Sequence, residues 1–138
     1  MVSGDGPVPV SVVMGTYNGE RHLAAQLQSI ANQSWLPAEL VIGEDGSTDA
    51  TLDVIETFRR HAPFEVRTLC HERLGVGENF LSALEASTGR VIAFADQDDV
   101  WHPAKLEISL RALERFDADL VWHGVYVVDE NLGLKKSG

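Results

Sequence analysis

A single cysteine, Cys70, stands among 138 residues. No internal disulfide can staple this chain, and nothing in it asks for an oxidising compartment. Basic residues are also few, 11 Lys and Arg against 21 Asp and Glu, which leaves a net charge of −10. They gather only in pairs, Arg59-Arg60 and Lys135-Lys136, so no local patch reverses the sign. Such a surface repels nucleic-acid phosphates and anionic membranes, and an anionic ligand needs a cation as intermediary. No apolar run approaches the roughly 20 residues that span a bilayer. The start, Met1 to Pro7, has neither the basic nor the apolar region of a signal peptide. Only 5 prolines and 12 glycines accompany 44% hydrophobic residues, which excludes disordered, collagen-like and low-complexity classes. A soluble cytoplasmic domain is the expectation.

A chain of this length buries roughly 68% of its extended surface on folding, enough for a real core. Apolar runs alternate with helical stripes, the sequence form of βαβ units around a mostly parallel sheet. Strands are expected at Val8 to Met14, Leu40 to Gly43, Glu65 to Cys70, Val91 to Ala95 and Leu120 to Val128. The stripe Leu23, Ala24, Leu27, Ile30 and Ala31 marks a first helix, opened by Asn18 or Gly19 and closed by Trp35-Leu36-Pro37. Ser47 or Thr48 reads as the N-cap of a second helix carrying Leu52, Ile55 and Phe58. A third covers Val76 to Ser87, with Phe80, Leu81 and Leu84 inward and Gly89 as its stop. Pro103 takes the first position of a fourth helix, backed by Leu106, Leu110 and Leu113. Residues 8–133 form one α/β domain on this reading, with residues 1–7 and 134–138 as loose tails. Asp129 to Gly133 reads as a turn.

Acids collect where an open α/β sheet binds its ligands, at the carboxyl ends of strands. Strand two runs into Glu44-Asp45, and strand four into Asp96-Gln97-Asp98-Asp99. Grouped carboxylates repel one another unless a cation or a donor-rich ligand lies between them. Residues i and i+2 of an extended segment face one side, so Asp96 and Asp98 can address one centre, and Mg²⁺ or Mn²⁺ favours such oxygen ligands. Helix capping is the competing explanation; it accounts for one acid per helix more easily than for three in four residues.

Other chemistries find little support. Gly75-Val76-Gly77 lacks the third glycine of a dinucleotide fingerprint, since Phe80 holds that place. Gly15 to Gly19 is followed by Glu20-Arg21, where a phosphate loop needs Lys and Ser or Thr. Both read as tight strand–helix turns. The five histidines show no metal spacing, no Gly-x-Ser-x-Gly elbow exists, and Cys70 reads as an inert residue on a buried strand.

Three blocks together resemble the inverting family 2 glycosyltransferases. They are Val10-Ser11-Val12-Val13-Met14-Gly15-Thr16-Tyr17-Asn18-Gly19, Glu44-Asp45-Gly46-Ser47-Thr48-Asp49, and Phe94-Ala95-Asp96-Gln97-Asp98-Asp99-Val100-Trp101. Their order and spacing match the family over about Pro9 to Gly133, and their wording is similar to bacterial rhamnosyl-type members that build surface polysaccharide. The resemblance implies the GT-A fold, a Rossmann-like three-layer α/β/α arrangement. It implies a donor pocket in which Thr16, Tyr17 and Asn18 run along the nucleobase and Tyr17 offers a stacking face. Asp45 would bond the base's ring N–H, with Glu44 beside it. Asp96 and Asp98 match the DxD motif, Asp96 near ribose or metal and Asp98 on a Mg²⁺ or Mn²⁺ ion that bridges the diphosphate. Asp99 matches the acid that orients a ligand water or caps the next helix. Arg73 and Asn79 fall in the segment that lines the donor pocket.

The implied partners are a UDP- or dTDP-sugar donor and a glycan or lipid-linked acceptor, at the cytoplasmic face of the inner membrane. The family's catalytic base comes from a segment far beyond DxD. Only 39 residues follow Asp99 (138 − 99), where Asp129 and Glu130 are the late acids and Asp129 the weak candidate for the base. The chain therefore reads as the donor-binding part of such an enzyme, with slow transfer or none, and a last strand whose apolar edge favours homo-oligomers. The alternatives are a catalytically silent nucleotide-sugar-binding domain and a receiver-like phospho-acceptor domain. The latter lacks an isolated acceptor aspartate with paired Thr and Lys downstream.

Overall fold

Alternate residues along Val10–Thr16, strand β1, enter two different cores. In the computed structural model, which describes residues 7–128 and 131–133, Val10, Val12 and Met14 pack on one face with Leu23, Leu27 and Ile30 of helix α1 (Leu23–Ala31). Val13 faces the other way, onto Val41 and Ala83. A strand buried on both faces has to be apolar at both parities, which is why this stretch reads as a continuous run rather than an alternation.

The remaining elements are β2 (Glu39–Glu44), α2 (Thr51–Arg59), β3 (Glu65–Cys70), α3 (Val76–Ala86), β4 (Val91–Asp96) and α4 (Lys105–Arg115). All strand pairs are parallel, in the order β3-β2-β1-β4. The larger core joins the sheet to α1, α2 and α4 through Ile55, Leu106 and Leu110. Among the described residues, helix α3 alone covers the second face, where Phe80 and Leu84 pack beside Ala83. Three layers result, as the alternation of strands and helices requires.

Several expectations need correction. Strand β1 starts at Val10 rather than Val8, because Pro9 offers only its carbonyl, which accepts from Arg90 and Val91 N–H. Helix α1 starts at Leu23, after a turn in which Gly19 O accepts from His22 and Leu23 N–H, and it ends at Ala31, well before Trp35. Its continuation is diverted as Ser34 N–H bonds Pro103 O at 2.8 Å. Neither Ser47 nor Thr48 caps α2: the helix begins at Thr51, and Asp49 takes the Thr51 N–H at 2.9 Å. Leu81 points outward, 46% exposed, while Asn79 and Ala83 are the buried positions of α3. Ser87 in extended conformation ends that helix, and Gly89 instead gives its N–H to Ser11 Oγ at 2.7 Å. Pro103 lies two residues ahead of α4 rather than at its first position. Cys70 is exposed, since β3 is the edge of the sheet rather than an interior strand.

The fifth strand does not form. Residues 120–127 have no regular structure, and only an isolated bridge occurs at Val128. Leu120, Trp122, Val125, Tyr126 and Val127 stand 65–85% exposed. The β-rich composition is there, but a strand needs a ladder partner, and among the described residues none lies beyond β4. Asp129, Glu130 and residues 134–138 lie outside the described residues, as do residues 1–6.

Candidate functional site

The sheet changes direction at β1. The chain moves outward through β2 and β3, then crosses with α3 on the opposite face to reach β4 on the other side of β1. Such a reversal leaves a crevice beyond the strand ends, the general ligand position in open α/β sheets. A cavity of about 260 Å³ lies there. Thr16 and Tyr17 bring it the end of β1, Asp45 the end of β2, Asp96 to Asp98 the end of β4, and Arg73, Asn79 and Phe80 the approach to α3 and its first turns.

Asp45 is 2% exposed, and the loop before α3 wraps around it. Leu74 N–H donates to Oδ1 at 2.6 Å and Gly75 N–H to Oδ2 at 3.0 Å. The Arg73 guanidinium lies 3.5 Å from Oδ2 and 3.6 Å from the centre of the Tyr17 ring. Two left-handed residues make this wrap, Arg73 at φ 57° and Gly75 at φ 93°. A left-handed non-glycine residue costs of order 1–3 kcal/mol and persists only where its surroundings impose it; here the bonds from Leu74 and Gly75 N–H to the Asp45 side chain do so.

Glu44 and Asn18 do not line the cavity. Glu44, 1% exposed, turns into its own loop, accepting from Gly46 N–H, Ser47 N–H and the Ser47 hydroxyl. Asn18 locks the first strand–helix loop to the second: its N–H donates to Ser47 Oγ and its Oδ1 accepts from Thr48 N–H. Gly19 N–H to Thr51 Oγ1 and Ala50 N–H to Glu20 Oε2 continue the same seam.

Asp96 and Asp98 sit exposed on the opposite rim. The Asp99 carboxyl is pushed above its ordinary value, first because the loop strips part of its hydration although the side chain reaches solvent, then by the charges of Asp96 and Asp98; Lys105 opposes the shift. Lys105 is itself lowered by burial, against the pull of Asp99 and Asp96. Among the described residues no three His, Cys, Asp or Glu side chains cage an ion. Two mutually repelling carboxylates at an open rim nonetheless fit Mg²⁺ or Mn²⁺, which binds through one or two carboxylates and takes its other oxygens from phosphates and water. Two further polar atoms are buried with no partner, Thr16 Oγ1 and Asn79 Oδ1, and both residues border the cavity. Orphans of this kind are rare and ask for a reason.

The residues that hold the acidic loop were invisible to motif reading. Gln26 Nε2 donates to Asp96 O at 2.8 Å, Ser29 Oγ accepts from Trp101 N–H at 3.0 Å, and Gln33 bridges His102 O and Leu106 N–H. All three are buried. Their signal was present: polar side chains at i, i+3 and i+7, two within the apolar stripe of α1 and Gln33 just past its end.

A four-stranded parallel sheet flanked by helices on both faces, with a crevice at its reversal, is the GT-A fold. The model of glycosyl transferase family 2 matches residues 11–138, and the chain belongs to that family. It is 33% identical over 105 residues to the dTDP-rhamnosyl transferase RfbG of Shigella flexneri, covering 72% of this chain and 36% of that protein. Among solved structures, S. aureus TarS in complex with UDP superposes with a TM-score of 0.70 at 30% identity, over 80% of this chain and 33% of that one. Glucosyl-3-phosphoglycerate synthase from Mycobacterium tuberculosis, in complex with Mn²⁺, UDP and glucosyl-3-phosphoglycerate, follows with a TM-score of 0.58 at 26% identity, over 77% and 39%. The chain spans between 36% and 47% of the length of the curated relatives it matches. No helix among the described residues is long and apolar enough to cross a membrane.

Proposed function

We propose that this chain binds the nucleotide-sugar donor of an enzyme that transfers a sugar from UDP or dTDP to a glycan or lipid-linked acceptor in surface polysaccharide synthesis. The observation that carries the reading is one cavity with two unlike rims: Tyr17 beside buried Asp45 on one, Asp96 and Asp98 on the other. A UDP- or dTDP-sugar has the same two ends, a flat base with a ring N–H and a doubly charged diphosphate.

Tyr17 stacks the base in this reading. Asp45 takes the ring N–H with lone pairs left over, since a carboxylate offers about four acceptor sites and the loop uses two short ones. Thr16 and Asn79 supply polar atoms along the nucleoside, and Arg73 flanks the base. Asn18 and Glu44 act one step back, fixing the loop that carries Tyr17 and Asp45. Asp96 and Asp98 are the residues that would hold Mg²⁺ or Mn²⁺, which when bound offsets the negative charge growing on the departing diphosphate. Inverting transfer also needs a carboxylate base on the acceptor hydroxyl; Asp129, the sequence candidate, lies outside the described residues.

The exposed free thiol of Cys70 suits a reducing, cytoplasmic setting. The bare apolar side chains between Leu120 and Val127 suit contact with a second copy of the chain. Calorimetry with UDP and dTDP in Mn²⁺ tests the donor reading. Micromolar to low-millimolar binding supports it, and no heat with either nucleotide overturns it.

A further inference from the structure

Gln97 stands between the rim acids Asp96 and Asp98, yet its amide turns to the other rim. Tyr17 N–H donates to its Oε1 at 3.0 Å, and its Nε2 donates to Tyr17 O at 3.1 Å. Both main-chain groups of Tyr17 are thus taken by one side chain from 80 residues away. Strands β1 and β4 pair in register as far as Gly15 and Asp96. The amide adds one more rung after the backbones diverge, imitating a peptide unit.

Gly19 shows that this place is built. A Cβ there would lie 2.4 Å from Gln97 Oε1 and 2.7 Å from its Cδ. Gly19 does not have the left-handed φ that would itself require glycine. The missing side chain leaves room for the amide, which cannot swing aside without losing both bonds to Tyr17.

We propose that Gln97 is a positioning residue that couples the two rims, holding the Tyr17 ring in register with Asp96 and Asp98. The inference rests on the donor reading above. With the amide gone, the Tyr17 main chain bonds to water and its ring samples orientations that binding must then restrict. Restricting the freed ring on binding is expected to cost about tenfold in nucleotide affinity.

The test is a double-mutant cycle on the full chain, titrating UDP at saturating Mn²⁺ into the unsubstituted protein, Gln97→Met, Tyr17→Ala and the double variant. Gln97→Met should weaken UDP about tenfold when Tyr17 is present and change little when it is Ala. Gly19→Ala, which crowds the amide without touching either rim, should repeat that pattern. Equal losses in both backgrounds would mean that Gln97 touches the ligand or supports the fold at large, and would overturn the inference alone. No loss in Gln97→Met overturns it as well. If the unsubstituted protein binds neither UDP nor dTDP, the donor reading fails and the inference falls with it.

Discussion

The Arg73 guanidinium covers the Tyr17 ring at 3.6 Å. A base stacking on that face has to exchange with Arg73; a base on the opposite face completes a sandwich. Both routes need the ring and neither needs the phenol oxygen. Tyr17→Ala should therefore weaken UDP binding by about tenfold or more, since base–aromatic stacking contributes roughly 1–3 kcal/mol. Tyr17→Phe should stay within about twofold in the same titration, and a large loss there would move the role from the ring to the hydroxyl.

Asp45 carries two duties, and substitutions should separate them. Its carboxylate orders the Leu74–Gly75 backbone, so Asp45→Ala frees two part-buried donors and should lower stability by roughly 1–3 kcal/mol in all, read by urea denaturation. Its spare lone pairs favour a base with a ring N–H, which uracil and thymine have and cytosine lacks. The unsubstituted protein should prefer UDP to CDP, and Asp45→Ala should erase about ten- to a hundredfold of that preference. A preference that survives would place base selection elsewhere.

Much of this was legible in the chain and some was not, for physical reasons. The parallel core announced itself because Val10 to Met14 is apolar at both parities. The rims announced themselves because Asp45 and Asp96 end strands. Strand-like composition at Leu120 to Val128 misled, since pairing is a property of neighbours rather than of a segment. Cap positions failed similarly: Ser47 bonds Glu44 and Asn18 instead of opening α2, because local polar side chains have several backbone groups to choose among. Gln97 had no signal at all, since its partner Tyr17 is near it only after folding.

A buried carboxylate at the opposite end of the sheet should govern acid stability. Burial alone would raise Glu39, but it accepts from the Ser11 hydroxyl at 2.6 Å, Thr88 N–H at 2.7 Å and Arg67 at 2.7 Å, and these hold its pKa at about 2 against an ordinary 4.5. The folded state therefore binds fewer protons there than the unfolded chain. The stabilisation is complete above about pH 4.5 and is lost as pH falls toward 2, a span worth on the order of 3 kcal/mol. Denaturant midpoints of the unsubstituted protein and Glu39→Gln should differ at pH 7 and draw together as pH falls toward 2. A constant difference across that range would remove Glu39 from the acid response.

The rim acids should divide by position along their turn. The sequence placed Asp96 and Asp98 on one side of an extended segment. Strand β4 ends at Asp96, however, and Asp98 lies in the turn that follows, where Asp99 N–H reaches back to Asp96 O. Both acids still border the cavity, while Asp99 does not. Asp99 instead has Lys105 close enough to oppose the shift of its carboxyl, and Lys105 packs its ammonium 4.2 Å from the centre of the Trp101 ring. Removing Asp99 leaves the cavity rim intact and takes charge from a site that already has a counterion. Removing Asp98 takes away one of the two carboxylates that border the cavity on this rim. UDP affinity should therefore fall at least tenfold when Mn²⁺ is chelated, and Asp98→Ala should bind UDP as weakly with Mn²⁺ as the unsubstituted protein does without it. Asp99→Ala should keep most of the Mn²⁺ enhancement. Equal affinity with and without chelator would take the cation out of nucleotide binding, and a larger loss in Asp99→Ala than in Asp98→Ala would reassign the ligand.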